Sequence, residues 1–303
     1  MKRRVIIDND FAGDPDDLFQ LVHHMLSPSV EICGIIGSHL APGDLLDGSD
    51  RTAEHAAAAA RETLRIMGMG DECAVYQGSN HAIRDARKAV HSDGSRFIVE
   101  EAMRPVDTEL YIACGGGLTD VALALMLNPE IENRIKILWI GGPEHRRSKQ
   151  DKTIEYNLNI DLAAARYVFN ETRAELWQVP RDVYRQCLVS MAELRARVLP
   201  CGDIGRHLYR SVESALEKFG KVIPTGAETY VLGDQPLVLL SALQSFFNPD
   251  ASSCEYRIAN HVRISMRGRY SFGVARRPIK VFGTVDTRLM FEDFYRKLGE
   301  FGA

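Results

Sequence analysis

Apolar positions along the chain recur with two periods. Runs of consecutive, largely β-branched residues at 5–7, 30–37, 109–114, 135–140 and 174–179 predict strands buried on both faces, with a short further strand near 74–76. Between them the apolar positions fall at helical spacing. From Asp16, the residues Leu18, Phe19, Leu21, Val22, Met25 and Leu26 share one helix face. Further helices are predicted at 50–67, closed by Gly68, at 96–103, stopped by Pro105, at 118–127, and from an Asp161 cap through Phe169. Strand alternating with helix at these intervals predicts an α/β fold: a mostly parallel central sheet with helices on both faces.

After Pro180 the pattern changes. Helices are predicted at 191–198, 204–218 and from Pro236 to about Phe247, then a terminal hairpin of strands at 255–266 and 278–285, and a last helix at 287–298. No linker, internal repeat or low-complexity segment interrupts the chain. A single α/β domain over residues 1–303 is the expected organisation.

The first strand-to-helix loop is chemically unusual. The stretch VIIDNDFAGDPDDLFQ places five carboxylates, Asp8, Asp10, Asp14, Asp16 and Asp17, within ten residues. In an open parallel sheet this loop lies at the carboxyl edge of a strand, where such sheets bind ligands, and its last acids fall at a helix N-terminus that favours anions. One acid is explained as a cap and others as solvated charges, but five this close repel unless a cation or shared protons neutralise them. A hard metal ion is the expected answer. A calcium-hand loop does not fit, because Ala12 and Phe19 stand where oxygen ligands are needed.

Composition narrows the class. The 303 residues are 45% hydrophobic and 26% charged, which suits a globular chain with a large core. A net charge of -4 argues against nucleic-acid or anionic-membrane partners. The longest apolar run, residues 121–127, is far short of a membrane span, and the basic start lacks a signal-peptide core, so a cytoplasmic protein is expected. Six cysteines show no metal-binding spacing and read as small buried hydrophobes.

Several strand ends carry motifs in a recognisable order: Asp8-Asn9-Asp10 with Asp16-Asp17, Gly115-Gly116-Gly117-Leu118-Thr119, a strand ending in Gly141-Gly142, Glu155-Tyr156-Asn157, and Asp234 followed by Pro236. With the terminal strand and helix, this series resembles the inosine-uridine-preferring nucleoside hydrolase family. The resemblance implies a calcium ion held by Asp10, Asp17, Asp234 and the Gly115 carbonyl, with room for a water and two ribose hydroxyls. It implies Asp10 as the base that takes a proton from that water, and Asp16, Glu155 and Asn157 as holders of the ribose, with Tyr156 near the sugar. The implied reaction is hydrolysis of a ribonucleoside to ribose and free base, in a homodimer or homotetramer. Asp8 either supports the site from behind or satisfies its own turn.

The chain departs from the family pattern around the base. The acid loop is two residues longer, so Asp14 is either an extra acid at the site or, as favoured here, the helix N-cap. An Asn expected after the second strand is replaced by Ser38-His39-Leu40, one expected before Glu155 finds no match at 146–152, and the His that protonates the leaving base is Gly233. His39, at a strand end, is the expected replacement acid, while Tyr184, Tyr230 and Trp177 are candidates for stacking on the base. Alternatives kept open are another ribofuranoside as substrate, phosphoryl transfer through Asp8, metal-free glycoside hydrolysis by paired acids, and a riboside-binding protein that has lost catalysis.

Overall fold

The structure is a computed structural model that describes residues 2–83, 90–145, 153–222, 228–244, 254–273 and 276–302. The first half of the chain runs β1 (Arg3–Asn9), α1 (Asp16–Met25), β2 (Val30–Gly37), α2 (Thr52–Ile66), β3 (Val75–Gln77), α3 (Asp93–Ala102), β4 (Leu110–Cys114), α4 (Thr119–Leu127) and β5 (Ile135–Ile140). It continues with α5 (Tyr156–Ile160), α6 (Leu162–Glu171), β6 (Glu175–Val179), α7 (Arg181–Tyr184), β7 (Leu188–Ser190), α8 (Met191–Arg197), α9 (Gly202–Gly220), β8 (Thr229–Val231) and α10 (Pro236–Ala242). The last elements are β9 (Tyr256–Ala259), β10 (Val262–Ile264), β11 (Tyr270–Phe272), β12 (Ile279–Phe282) and α11 (Thr287–Phe301).

Eight strands form one sheet in the order β3-β2-β1-β4-β5-β6-β12-β9, parallel except for the edge pair β12–β9. The mostly parallel α/β sheet expected from the sequence is therefore present. Strand order reverses at β1, whose neighbours are β2 and β4. The loops leaving β1 and β4 thus open onto a switch point, the crevice where doubly wound sheets bind ligands.

Alternation along β1 divides the core. Val5 and Ile7 pack with α1, α2, α9, α10 and α11, whereas Ile6 packs with α3, α4 and α6. Residues 121–125 of α4 are all apolar because every one of them is buried. The Ala-rich α2 lies directly on β2: a Cβ on Gly37 would fall 2.2 Å from the Ala57 nitrogen.

Local boundaries differ from expectation in instructive places. β1 does not end at Asp8 but runs through Asn9, because both residues pair with β2 and Asp8 also pairs with β4. Asp14 is not the cap of α1; Pro15 occupies the N-cap position and no side chain caps it. Asp161 does cap α6, accepting from the Ala164 amide at 2.9 Å. The first strand of the terminal hairpin is broken at His261, whose φ of 63° turns the chain, so β9 pairs with β12 while β10 pairs separately with β11. Helix α10 closes at Ala242, and Phe247 and the 146–152 segment lie outside the described residues.

Gly37→Ala tests the seating of α2. The added methyl meets backbone, which cannot rotate away, so a loss of about 1–3 kcal/mol is expected as a lower urea midpoint at unchanged slope. An unchanged midpoint would show that α2 is not held this closely.

Candidate active site

The end of β1 sends three polar side chains in different directions. Asp8, two residues beyond Ile6, faces the α3–α4 layer, where burial and the neighbouring Asp120 carboxylate push its pKa well up. Both of its oxygens are buried and without a hydrogen-bond partner. Asp120 is itself held by the Ser79 amide at 3.1 Å and by the Ser92 hydroxyl. Asn9 faces the other way, and its amide donates to Asp234 Oδ2 at 2.6 Å and to Gln20 Oε1 at 3.3 Å. Asp10 stands beyond the strand in a turn closed by the Gly13 amide on its carbonyl at 2.8 Å.

The remaining acids converge from distant parts of the chain. Asp16 and Asp17 open α1, and Asp234 enters from the turn before α10, its amide donating to Asp16 Oδ2 at 3.0 Å. Carboxylate oxygens of Asp16, Asp17 and Asp234 lie within 4.8 Å of one another. Gly115 and Gly116 close the cluster because nothing larger fits. A Cβ at Gly115 would stand 1.8 Å from Asp234 Oδ2, and one at Gly116 would stand 2.6 Å from Asp10 Oδ1.

Charge in this cluster is uncompensated. Burial, then the neighbouring carboxylates, raise the pKa values of Asp10, Asp16 and Asp17 well above the ordinary range, and burial raises that of Asp234. Asp17 Oδ2 is buried with no hydrogen-bond partner. A hard divalent cation fits this set: several carboxylate oxygens converge, one is orphaned, and side-chain-free glycine lets the chain pass close by.

These acids form the floor of a cavity of about 440 Å³. Asp10, Asp14, Asp16, Asp17, Asp44, Glu155 and Asp234 line it, with Tyr156, Asn157, Tyr184, Arg181 and Arg185. Leu46, Ile140, Phe219 and Val231 give it an apolar side. Glu155 is the N-cap of α5 and is heavily engaged. It accepts from the Gly142 amide at 2.7 Å, the Leu158 amide at 2.9 Å, the Asn157 amide at 3.2 Å and the Tyr184 hydroxyl at 2.8 Å. Asn157 donates to the carbonyls of Gly115 and Ile140, and Tyr156 donates to Asp44 Oδ2 at 2.5 Å. Tyr184 leans over Gly233, where a Cβ would meet its ring at 3.3 Å.

Most residues singled out in the sequence meet here: Asp10, Asp16, Asp17, Gly115, Glu155, Tyr156, Asn157 and Asp234 all line one cavity. His39 does not. Its ring is buried between the Leu40 carbonyl and the Thr119 hydroxyl, each at 2.9 Å, beside a separate cavity of about 730 Å³. Asp8 also faces away. Trp177 sits edge-on to Tyr111 under the sheet, and Tyr230 reaches the site only through its hydrogen bond to Asp14. Asp14 opens onto the cavity with its pKa raised to about 6 by its surroundings, although Tyr230 donates to it. Asp44, Arg181 and Arg185 were not legible as site residues. Asp44 lies in an irregular loop with no motif, whereas the arginines do follow a strand end, one helical turn apart.

Comparison with known proteins agrees with this geometry. The architecture is that of solved nucleoside hydrolases: it matches a purine-preferring ribonucleoside hydrolase from Gardnerella vaginalis with a TM-score of 0.76 at 19% identity, covering 99% of each chain. Residues 5–288 match the family described as inosine-uridine preferring nucleoside hydrolase, and the chain belongs to that family. The inosine-uridine preferring nucleoside hydrolase of Crithidia fasciculata is 33% identical over 95 residues, 31% of this chain and 27% of that protein. The Leishmania major protein of the same description is 28% identical over 159 residues, 49% of this chain and 48% of that protein. The chain thus spans about half or less of the length of the curated relatives it matches.

The raised carboxylate pKa values predict how cation binding depends on pH. Folded acids that hold protons to higher pH than the unfolded chain lose stability as pH rises past about 4, and a cation must displace those protons. The thermal shift between calcium and chelator is therefore expected to grow from pH 5 to pH 8, reaching about 2.7 kcal/mol at a hundredfold excess over the dissociation constant. A shift of equal size at both pH values would exclude these carboxylates as ligands.

Proposed function

We propose that this chain hydrolyses the N-glycosidic bond of a ribonucleoside, releasing ribose and the free base, with calcium held by Asp10, Asp17, Asp234 and the Gly115 carbonyl. The observation that carries the reading is the orphaned Asp17 oxygen within the carboxylate cluster that the start of α1 and the turn before α10 bring together, in a chain of this family. When bound, the ion supplies a positive centre that acidifies a water and grips two ribose hydroxyls.

The residues of the chain do the rest. Asp10 accepts the proton as the water oxygen bonds to the anomeric carbon and the bond to the base nitrogen breaks. Asp16 and Asn157 hold ribose hydroxyls, so that sugar-binding energy is used at the reacting carbon. Tyr156 closes the sugar side through its bond to Asp44. Glu155 also faces the sugar, but it already accepts four hydrogen bonds, so a ribose hydroxyl reaches it by displacing the Tyr184 hydroxyl. The phosphoryl-transfer alternative loses its nucleophile, since Asp8 is buried away from the cavity. His39 has no role in this reading. The proposal extends to a homodimer or homotetramer, which rests on the resemblance; among the described residues no helix is long and apolar enough to cross a membrane.

Release of ribose from a nucleoside panel, measured with calcium and with chelator, tests the reaction. Asp10→Ala is expected to lower kcat by about 10²–10⁴-fold with a small change in KM, as loss of a general base does. Ribose release that survives both the chelator and this substitution would reject the mechanism; retained riboside binding without any turnover would favour the binding-protein alternative.

A further inference from the structure

Asp234 is the proposed calcium ligand that comes from farthest along the chain, and its carboxylate is oriented from behind. Asn9 donates to its Oδ2 at 2.6 Å, hard against Gly115, where a Cβ would fall 2.3 Å from both polar atoms of the Asn9 amide. Asn9 is held in turn. Its own oxygen accepts from the Asp10 amide at 3.0 Å, and its Nδ2 also donates to Gln20 Oε1 at 3.3 Å. Behind Gln20 lies His24, one turn further along α1, and behind His24 lies Ser241 of α10. Asn9, Gln20, His24 and Ser241 are all fully buried, so each relies on the others for its hydrogen bonds.

The direction of every bond in this series is fixed from one end. The Leu237 carbonyl can only accept, so Ser241 gives it the hydroxyl hydrogen at 2.7 Å. Ser241 Oγ must then accept from His24 Nε2–H, 2.8 Å away. Burial, with His23 and Lys297 nearby, pushes the His24 pKa down to about 3, so the imidazole is neutral and its Nδ1 is bare. A bare Nδ1 takes the amide N–H of Gln20, which turns Gln20 Oε1 toward Asn9. Asn9 therefore presents its amide N–H groups, and not its oxygen, to Asp234. A flip of Asn9 would set oxygen against oxygen at Asp234, and a flip of Gln20 would set amide against amide at Asn9. The Leu237 amide donates to the Asp234 carbonyl at 3.0 Å, so the series closes on itself through the first turn of α10.

Resting on the proposed calcium site, we infer that Gln20, His24 and Ser241 are positioning residues for the metal centre. Their closed circuit of hydrogen bonds holds the Asn9 amide in the one orientation that donates to Asp234, and so presets that carboxylate for the cation. Gln20 and His24 follow Asp17 at helical spacing, so one face of α1 carries a proposed ligand at its start and the support of another ligand behind it. Truncating a group in this circuit leaves the cavity lining intact, yet frees the Asn9 amide to turn.

Calcium affinity of the chelator-stripped protein, measured by titration calorimetry, tests this without any substrate. Ser241→Ala removes the hydroxyl that sets the direction of the circuit, and Gln20→Met removes its middle link at nearly constant volume. Each is expected to raise the calcium dissociation constant by about tenfold to a hundredfold, the usual cost of losing a group that orients a metal ligand. Ser241→Thr keeps a hydroxyl that can bond the carbonyl one turn back, and is expected to stay within about threefold of the parent. Melting temperatures in chelator separate this from a merely structural role. Lower melting temperatures with unchanged calcium affinity in both Ser241→Ala and Gln20→Met would overturn the inference, as would equal losses of affinity in Ser241→Ala and Ser241→Thr. A parent protein that binds no calcium would remove the proposed cation site, and the inference with it.

Discussion

Mutual repulsion among buried carboxylates at the β1–β4 switch point is the constraint on which the rest of this structure depends. Asp10, Asp16, Asp17 and Asp234 are each nearly excluded from solvent, and each is pushed toward its protonated form. Such an arrangement costs free energy that only protons or a cation can offset. The fold around it is correspondingly rigid. Strands buried on both faces, glycines without space for a methyl group and a proline-started helix hold the acids where repulsion would otherwise separate them.

Two polar residues adjacent in sequence show how the sheet sorts chemistry. Asp8 and Asn9 are both in β1, yet the pleat sends Asp8 into the α3–α4 layer against Asp120 and Asn9 to the side of Asp234. Asp8 therefore belongs to a buried acid pair behind the strand, where burial and the Asp120 carboxylate push it toward its protonated form. The cavity acids lie on the other side of the strand end. Asp8 faces away from the cavity, whereas Asp10, two residues on and beyond the strand, lines it.

The proposed sugar half and the proposed base half of the cavity differ in how they are built. The sugar half is tied into secondary structure: Glu155 caps α5 and Asn157 bridges the ends of β4 and β5. The proposed base half is made from loops and isolated contacts, with Asp14 held by Tyr230 and the Tyr184 ring over Gly233. Groups on a rigid frame keep a common reaction, whereas groups on loops can change the ligand without disturbing the sheet.

The sequence by itself determined the layered α/β class, the order of most elements and the motif-bearing strand ends, because burial on two faces forces continuous apolar runs and helices force their own period. It also singled out the acids of the first loop, since five carboxylates in ten residues have no ordinary structural explanation. Tertiary structure alone decided which of them meet. That Asp234 joins Asp16 and Asp17, that His39 is sealed between Leu40 and Thr119, that Asp14 faces the cavity and does not cap α1, and that Asp44 belongs to the site at all are consequences of contacts between residues far apart in the chain. Local periodicity carries no record of those distances, which are fixed only when strand order brings the loop ends to one edge.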